Sequence, residues 1–433
     1  MRALTLGLAA RHPLGEEELR RAASHLEGAA AALATKGYEV QTLRVSTRPV
    51  LSDLAGWGRK ELVEYACSLQ GALDRAGLAF CSLGPALPGD GPEGPAALAD
   101  MLVGEVAARG GAGAGEGEAG EGEAGEGEAG EGGAGEGGAG EGGRRKGNPA
   151  LSASVMVSTP ERGVDAGAAR AAAGAMVSLA ARTAQGLGNF NFAALGCVAP
   201  GTPFFPAAYH AGASSLSVAL QGAGIVFDAL AGGAGLSEVT GRVSAKLAEV
   251  ARPVVDLARR AASELGLCFG GIDLSPAPDL DDSIVAALEA AGHGPFGGPG
   301  TLALAAAVTT GLRSTGLPTC GYTGLMLPLM EDALLAQRWD DGLVGIDQLL
   351  AWSAVCGTGL DTVPVPGGSE VRELAAAICD MASLAARLGK PLSARLLPAP
   401  GKAAGERTRF SSPYLVNALI KPLSPIRPIA SAV

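Results

Sequence analysis

Apolar and polar positions alternate with a period of two in residues 3 to 9, 38 to 46 and 78 to 83, and recur with helical spacing in 15 to 36, 58 to 76 and 95 to 108. The pattern predicts strand and helix in turn, the repeat of a βαβ unit. It resumes with strands over 151 to 158, 189 to 199, 267 to 274, 320 to 328, 360 to 365 and 391 to 398. Helical spacing fills 164 to 185, 214 to 231, 236 to 265, 283 to 291, 301 to 313, 330 to 338, 345 to 356 and 369 to 388. Roughly nine or ten strands separated mostly by helices predict a parallel α/β architecture with helices outside, because a parallel strand needs a crossover connection. A single barrel-like α/β domain over residues 1 to 433 is the first expectation, a doubly wound sheet the second.

Residues 110 to 146 interrupt this pattern with a Gly/Glu/Ala tract that ends in Arg144, Arg145 and Lys146. The tract lacks the apolar content to offset its ordering entropy and reads as a disordered acidic insertion with no catalytic role. Its deletion is expected to leave folding intact. It also changes the charge picture: without its nine glutamates the formal charge of −11 becomes −2. A near-neutral body with no run of Lys and Arg offers no footprint for nucleic acid. No apolar stretch reaches membrane-spanning length without Gly, Pro or charge, so no membrane partner is expected. Seven cysteines (Cys67, Cys81, Cys197, Cys268, Cys320, Cys356, Cys379) lie far apart with no CxxC pair, which argues against a zinc ribbon or a redox dithiol. The odd count and the lack of a signal peptide point to reduced thiols in the cytoplasm. The partner expected is a small-molecule metabolite; a homo-oligomer is left open, and no cofactor is named.

In parallel α/β folds, ligands bind beyond the carboxyl ends of strands, so polar residues just after predicted strands carry weight. The stretch 353 to 367, SAVCGTGLDTVPVPG, places Cys356 and Asp361 around Gly357 and Gly359, a thiol and a carboxylate bracketing permissive backbone. Cys356 is a candidate nucleophile or acid/base, with inert core packing as the competing reading. Asn189 and Asn191 alternate with Phe190 and Phe192, which would put both amides on one strand face to orient a polar ligand. The loop after them ends at His210, a candidate acid or base. Asp273, near a strand end in GIDLSPAP with Ser275 beside it, is the strongest acidic candidate; structural acceptance of loop amides competes with it. Gly300 and Thr301 open a helix after a Gly/Pro-rich loop, where amides can hold an anion. Glu331 and Asp332 begin a helix and read most simply as caps. Arg395 and Lys402 could neutralise an anionic substrate. A carboxylate metal set of Asp273, Glu331 and Asp361 is a further alternative, although no HxH or HExxH spacing supports a metal and none is assigned.

The phrases GTPFFPAAYH, GIDLSPAP, GLMLPLMED and SAVCGTGLDTVP, with SSPYLVN near the end, closely resemble the uncharacterised family called domain of unknown function 711 over nearly the whole chain except the acidic tract. The resemblance implies a fold like that of pyruvate formate-lyase, a ten-stranded α/β barrel made from two five-stranded parallel halves. In the related glycyl radical enzymes an interior-loop cysteine forms a thiyl radical, and Cys356 is the counterpart by position. The stretch KPLSPIRPIASAV carries no RVxGY-type glycine-radical loop. The expected function is therefore a non-radical enzyme acting on a small polar or anionic metabolite in a barrel pocket; the alternative is a non-catalytic metabolite-binding regulator on the same scaffold.

Overall fold

The computed structural model describes residues 1–78, 80–110, 151–280 and 282–423. The acidic tract lies outside them beyond Gly110, and so does the predicted insertion. Among the described residues ten strands are formed: β1 (Ala3–Gly7), β2 (Thr42–Ser46), β3 (Phe80–Ala86), β4 (Leu151–Thr159), β5 (Gly163–Val164), β6 (Phe192–Gly196), β7 (Ser215–Gln221), β8 (Cys268–Ala277), β9 (Gly359–Pro366) and β10 (Leu392–Ala399). The helices are α1 (Glu16–Ala34), α2 (Val50–Asp53), α3 (Arg59–Arg75), α4 (Glu93–Gly110), α5 (Ala166–Arg182), α6 (Ala223–Leu230), α7 (Leu236–Glu264), α8 (Ile284–Glu289), α9 (Thr301–Arg313), α10 (Ala333–Asp340), α11 (Ile346–Ser353) and α12 (Val371–Leu388). Among the described residues no helix is long and apolar enough to cross a membrane.

The strands form one mixed sheet in the order β8-β7-β1-β2-β3-β4-β6-β10-β9, with β5 paired to β4. Strands β1, β2, β3, β4 and β6 run parallel to their neighbours. Antiparallel seams join β1 to β7 and β6 to β10, and beyond them β7–β8 and β9–β10 are again parallel pairs. The α/β class expected from the alternation is therefore present, but continuous pairing does not close the sheet into the expected barrel. The open edges of β8 and β9 are spanned by residues 319–328, which touch them only through the isolated parallel bridges Ile272↔Thr319 and Pro328↔Asp361. This segment was predicted as a regular strand. Gly321 at φ +62° and Thr323 at φ +34° bend it out of the extended region, and Pro328 has no amide to give to a ladder.

Local sequence explains most of the elements. Glu18 accepts from the Gly15 amide at 3.1 Å to start α1, and Glu373 does the same for Glu370 at the start of α12. Asp332 caps two helices at once, accepting from Leu334 and Leu335 of α10 and from Ile284 and Val285 of α8, with Ser283 Oγ donating at 2.7 Å. The predicted helix over 214 to 231 is instead β7 followed by α6. Its first half alternates Ser215 and Ser217 with Leu216 and Val218, a period-two signal that its small residues obscure.

The two faces of the sheet carry different cores. In β1, Leu4 and Leu6 pack towards the helices, while Ala3 belongs to a second cluster with Ala193, Leu195, Phe204, Ala207, Tyr209, Ala219, Tyr322 and Met326. Small side chains on this inner face leave room for the segment between β6 and β7 to run across it. Thr5 Oγ1 donates to Pro203 O at 3.1 Å, Ser82 Oγ to Ala208 O at 2.6 Å, and Tyr209 Oη to Val198 O at 2.9 Å. The chain thus covers much of this face with its own backbone, and a cavity lies beside it.

Candidate functional site

The cavity measures about 270 Å³ and opens at the amino ends of β1, β2 and β3 and the carboxyl end of β8. In β2, Leu43 and Val45 are on the helix side, which turns Thr42 and Arg44 inward. Arg44 Nε donates to Thr42 Oγ1 at 2.9 Å, and its guanidinium carbon lies 5.3 Å from the ring centres of both Phe80 and Phe205. The two rings meet edge-on at 6.5 Å, forming an aromatic corner around the cation. Among the described residues no carboxylate lies within ion-pair distance of Arg44. Burial, reinforced by the like charge of Arg2, lowers its hold on the proton.

The opposite wall is electrostatically closed. Arg395, from β10, donates through Nε to Asp361 Oδ1 at 2.7 Å, through Nη2 to Glu331, and through Nη1 to the Phe190 carbonyl at 3.3 Å. Its guanidinium sits 4.9 Å from the centre of the Phe190 ring, which stacks on Tyr414 at 6.3 Å and 6°. Burial alone would weaken the Arg395 cation, but the Asp361 and Glu331 carboxylates outweigh it and raise its pKa. Arg2 stands between the walls, 3.7 Å from Glu331 and 3.9 Å from Asp279, beyond hydrogen-bond length to either. Asn191 lines the same cavity, its amide Nδ2 buried and without a partner among the described residues. Tyr322 Oη donates to Ser393 Oγ at 3.1 Å, which donates on to Thr358 O at 3.0 Å, so the hydroxyls in the wall are held in one orientation.

Of the residues singled out in the sequence, Asn191, Glu331, Asp361 and Arg395 meet in this cavity. The others lie elsewhere. Asp273 is fully buried and accepts from Ser275 N, Ser275 Oγ, Tyr322 N and Thr323 N at 2.6 to 3.0 Å, so the competing structural reading describes its geometry. Burial raises its pKa against these four donors. Ser275 is spent on this anchor and on Gly324 N. Asn189 is not on a strand: residues 184–191 form 3₁₀ turns, and its Nδ2 donates to Met176 O at 2.9 Å, away from Asn191. Cys356 is buried outside the cavity wall, and burial pushes its thiol up to about 12, with Lys390 acting in the opposite sense. The Lys390 ammonium caps the end of α11 by donating to the carbonyls of Ser353, Ala354 and Cys356.

The glycines around Cys356 have a packing reason. A Cβ on Gly357 would lie 2.9 Å from the backbone of Gly324, and one on Gly359, at φ +88°, 2.3 Å from Ser393 O. His210 packs its ring on Gly7, at the carboxyl end of β1 and roughly 17 Å along the strand from Arg2, with Nε2 2.9 Å from Ala213 O. Burial lowers its pKa. Gly300 is the left-handed residue before α9, and Thr301 Oγ1 accepts from Gly297 N; neither faces the cavity. Lys402 is ion-paired with Glu406 at the surface. The carboxylate metal set is not assembled, since Asp273 faces loop amides while Glu331 and Asp361 turn to Arg395; among the described residues no group of three or more His, Cys, Asp or Glu is placed to hold a metal. Glu331, read as a cap, belongs to the cavity, while Asp332 does cap.

A family model described as "Uncharacterised ACR (DUF711)" matches residues 146–412. Relatives called UPF0210 protein occur in Pyrobaculum aerophilum, 32% identical over 60% of this chain and 59% of that protein, and in Desulforudis audaxviator, 31% identical over 60% of each. A third, in Methanopyrus kandleri, is 31% identical over 65% of each. The matched region thus spans about three fifths of the length of these relatives.

Proposed function

The chain belongs to the uncharacterised DUF711 family, and from that premise we propose that it is a non-radical enzyme that binds a small anionic metabolite in the Arg44 cavity. The observation that carries the reading is Arg44 itself: a guanidinium fixed by Thr42 and two aromatic rings, inside a cavity, with no carboxylate of the described residues within ion-pair distance and only Glu331 acting on it from further off. A partly buried cation without a counter-ion costs stability, and a bound carboxylate or phosphate recovers it through two parallel N–H donors. Asn191 supplies a further donor with no acceptor of its own. Asp361 and Glu331 are the acid/base candidates within the cavity, held in place by Arg395.

A second reading, a metabolite-binding regulator without catalysis, is favoured by the fact that both of these carboxylates are already ion-paired. Screening metabolites against the full chain by thermal shift, with Arg44→Met alongside and mass spectrometry for products, tests both. A hit lost in Arg44→Met supports the site, and product formation then selects the enzyme. Hits that bind Arg44→Met equally well remove the reading.

The proposed fold is the ten-stranded barrel of the pyruvate formate-lyase type, in one domain over the whole chain. Its support is the pair of antiparallel seams. They divide the strands into β1-β2-β3-β4-β6 and a second parallel set of β7, β8, β9 and β10, with residues 319–328 between β8 and β9 as its fifth member. A cytoplasmic location fits the seven free thiols. Neither nucleic acid nor membrane is proposed as a partner, and self-association is a matter for a size measurement.

A further inference from the structure

Aromatic residues are scarce in this chain, with 9 Phe, 5 Tyr and 3 Trp in 433 residues. Six of them, Phe80, Phe190, Phe204, Phe205, Tyr322 and Tyr414, line the one cavity that holds Arg44. Phe80 and Phe205 flank the Arg44 guanidinium, and Phe190 lies on that of Arg395. Pro206, Pro278, Pro328 and Met326 complete the apolar part of the wall. A bare phosphate or acetate on Arg44 would leave these surfaces facing water, whereas a ligand with a flat apolar body would cover them.

Charge limits the ligand further. The wall carries Arg2, Arg44 and Arg395 against Asp279, Glu331 and Asp361, and Arg395 already faces two carboxylates. A second anionic group reaching past Arg44 would meet Asp361 and Glu331. One negative group is therefore favoured at Arg44, with an uncharged or cationic end towards Arg395. Asn191, in the same lining, keeps its Nδ2 without an acceptor among the described residues.

We infer that the ligand of this cavity is a monocarboxylate with a planar, apolar body, an aryl acid in the simplest case. The inference rests on the anion-binding reading above and narrows it from anion to aryl monoanion. It is tested by titrating the full chain with benzoate, phenylacetate, succinate and inorganic phosphate at fixed ionic strength, by calorimetry. The expected result is that an aryl acid binds at least tenfold more tightly than succinate or phosphate, that Arg44→Met weakens this binding about 30-fold, and that Phe205→Ala erases the aryl preference. Tighter binding of succinate or phosphate through Arg44 would overturn the aryl inference and leave the anion reading standing. If none of the four binds, or all bind Arg44→Met unchanged, both fall. Circular dichroism of the two variants separates lost binding from lost folding.

Discussion

Two charged side chains on the inner face of the sheet are treated in opposite ways. Asp273 in the middle of β8 has no exposure and four donors, and it fixes the loop that carries Tyr322 and Thr323. Arg44 on β2 has an aromatic corner, one hydroxyl acceptor and, among the described residues, no carboxylate within ion-pair distance. A buried charge answered on every side holds a fold together; one placed in a cavity and left unanswered is available to a ligand. Sequence alone ranks the two the other way round, because an Asp after a predicted strand carries a familiar catalytic pattern and an Arg within one does not.

The largest expected effect is at the answered charge. Asp273→Ala leaves four buried donors without an acceptor and should cost roughly 3 to 5 kcal/mol of folding stability, read as a lower urea midpoint. Asp273→Asn, which keeps some acceptor capacity, should lose less. If Asp273→Ala keeps wild-type stability but loses turnover, the contrast between a structural Asp273 and a functional Arg44 is broken.

The same contrast extends to His12, another group satisfied from within. Its ring nitrogens lie 2.7 Å from Tyr65 Oη and 2.8 Å from Thr47 Oγ1, and burial lowers its pKa from 6.5 to about 4, against the pull of Asp53. The folded state binds this proton less readily than the unfolded chain does, so stability is intact above about pH 6.5 and falls as the pH drops towards 4. The loss should approach roughly 3 kcal/mol. Buried carboxylates such as Asp273, with raised pKa values, act in the opposite sense over acidic pH. The quantity to measure is therefore the difference between wild type and His12→Gln in urea midpoint at pH 7 and pH 4.5. A difference independent of pH would show that His12 does not titrate as its burial requires.

At the unanswered charge the effect moves from stability to binding. Arg44→Met should reduce affinity for the anion about 30-fold, or about 2 kcal/mol, as expected for loss of a charge-assisted pair. Its melting temperature should hold or rise, because the variant no longer places an uncompensated cation against two rings. A marked fall in melting temperature without ligand would assign Arg44 to the fold.

How much of this was legible follows from what each element depends on. Alternating β and α elements, the capping role of Asp332 and the α/β class are local properties, and they read out directly. The segment 319–328 does not, because Gly321 and Thr323 take positive φ values where the Tyr322 and Thr323 amides turn to Asp273, far away in sequence. Asn189 and Asn191 were adjacent in pattern but diverge because 3₁₀ turns, not a strand, carry them. Arg2 and Arg44 were missed, although a signal existed. In the stretch TLRVS, Arg44 alternates with Leu43 and Val45, and in a sheet covered by helices on one side that places it on the inner face. The gathering of six rings from five separate stretches of chain had no local signal at all.

The smallest effect is expected where the sequence pointed most strongly. Cys356 lies between α11 and β9, is buried, and has its thiol raised to about 12, so well under one molecule in a thousand carries a thiolate at neutral pH. Its backbone carbonyl, not its sulfur, is what Lys390 holds. Cys356→Ala should therefore cost about 1 kcal/mol of packing and leave ligand affinity and any turnover unchanged. Cys356→Ser, which keeps the size but buries a hydroxyl, should cost somewhat more stability with the same activity. Loss of turnover in both variants at retained ligand affinity would restore the thiol to the chemistry, and the cavity would then have to open towards Cys356 during the reaction. Unchanged turnover in Cys356→Ala, together with the loss in Arg44→Met, would place the chemistry on the arginine wall and leave the glycine-flanked cysteine as the packing joint that holds β9 and Asp361 in register with β10 and Arg395.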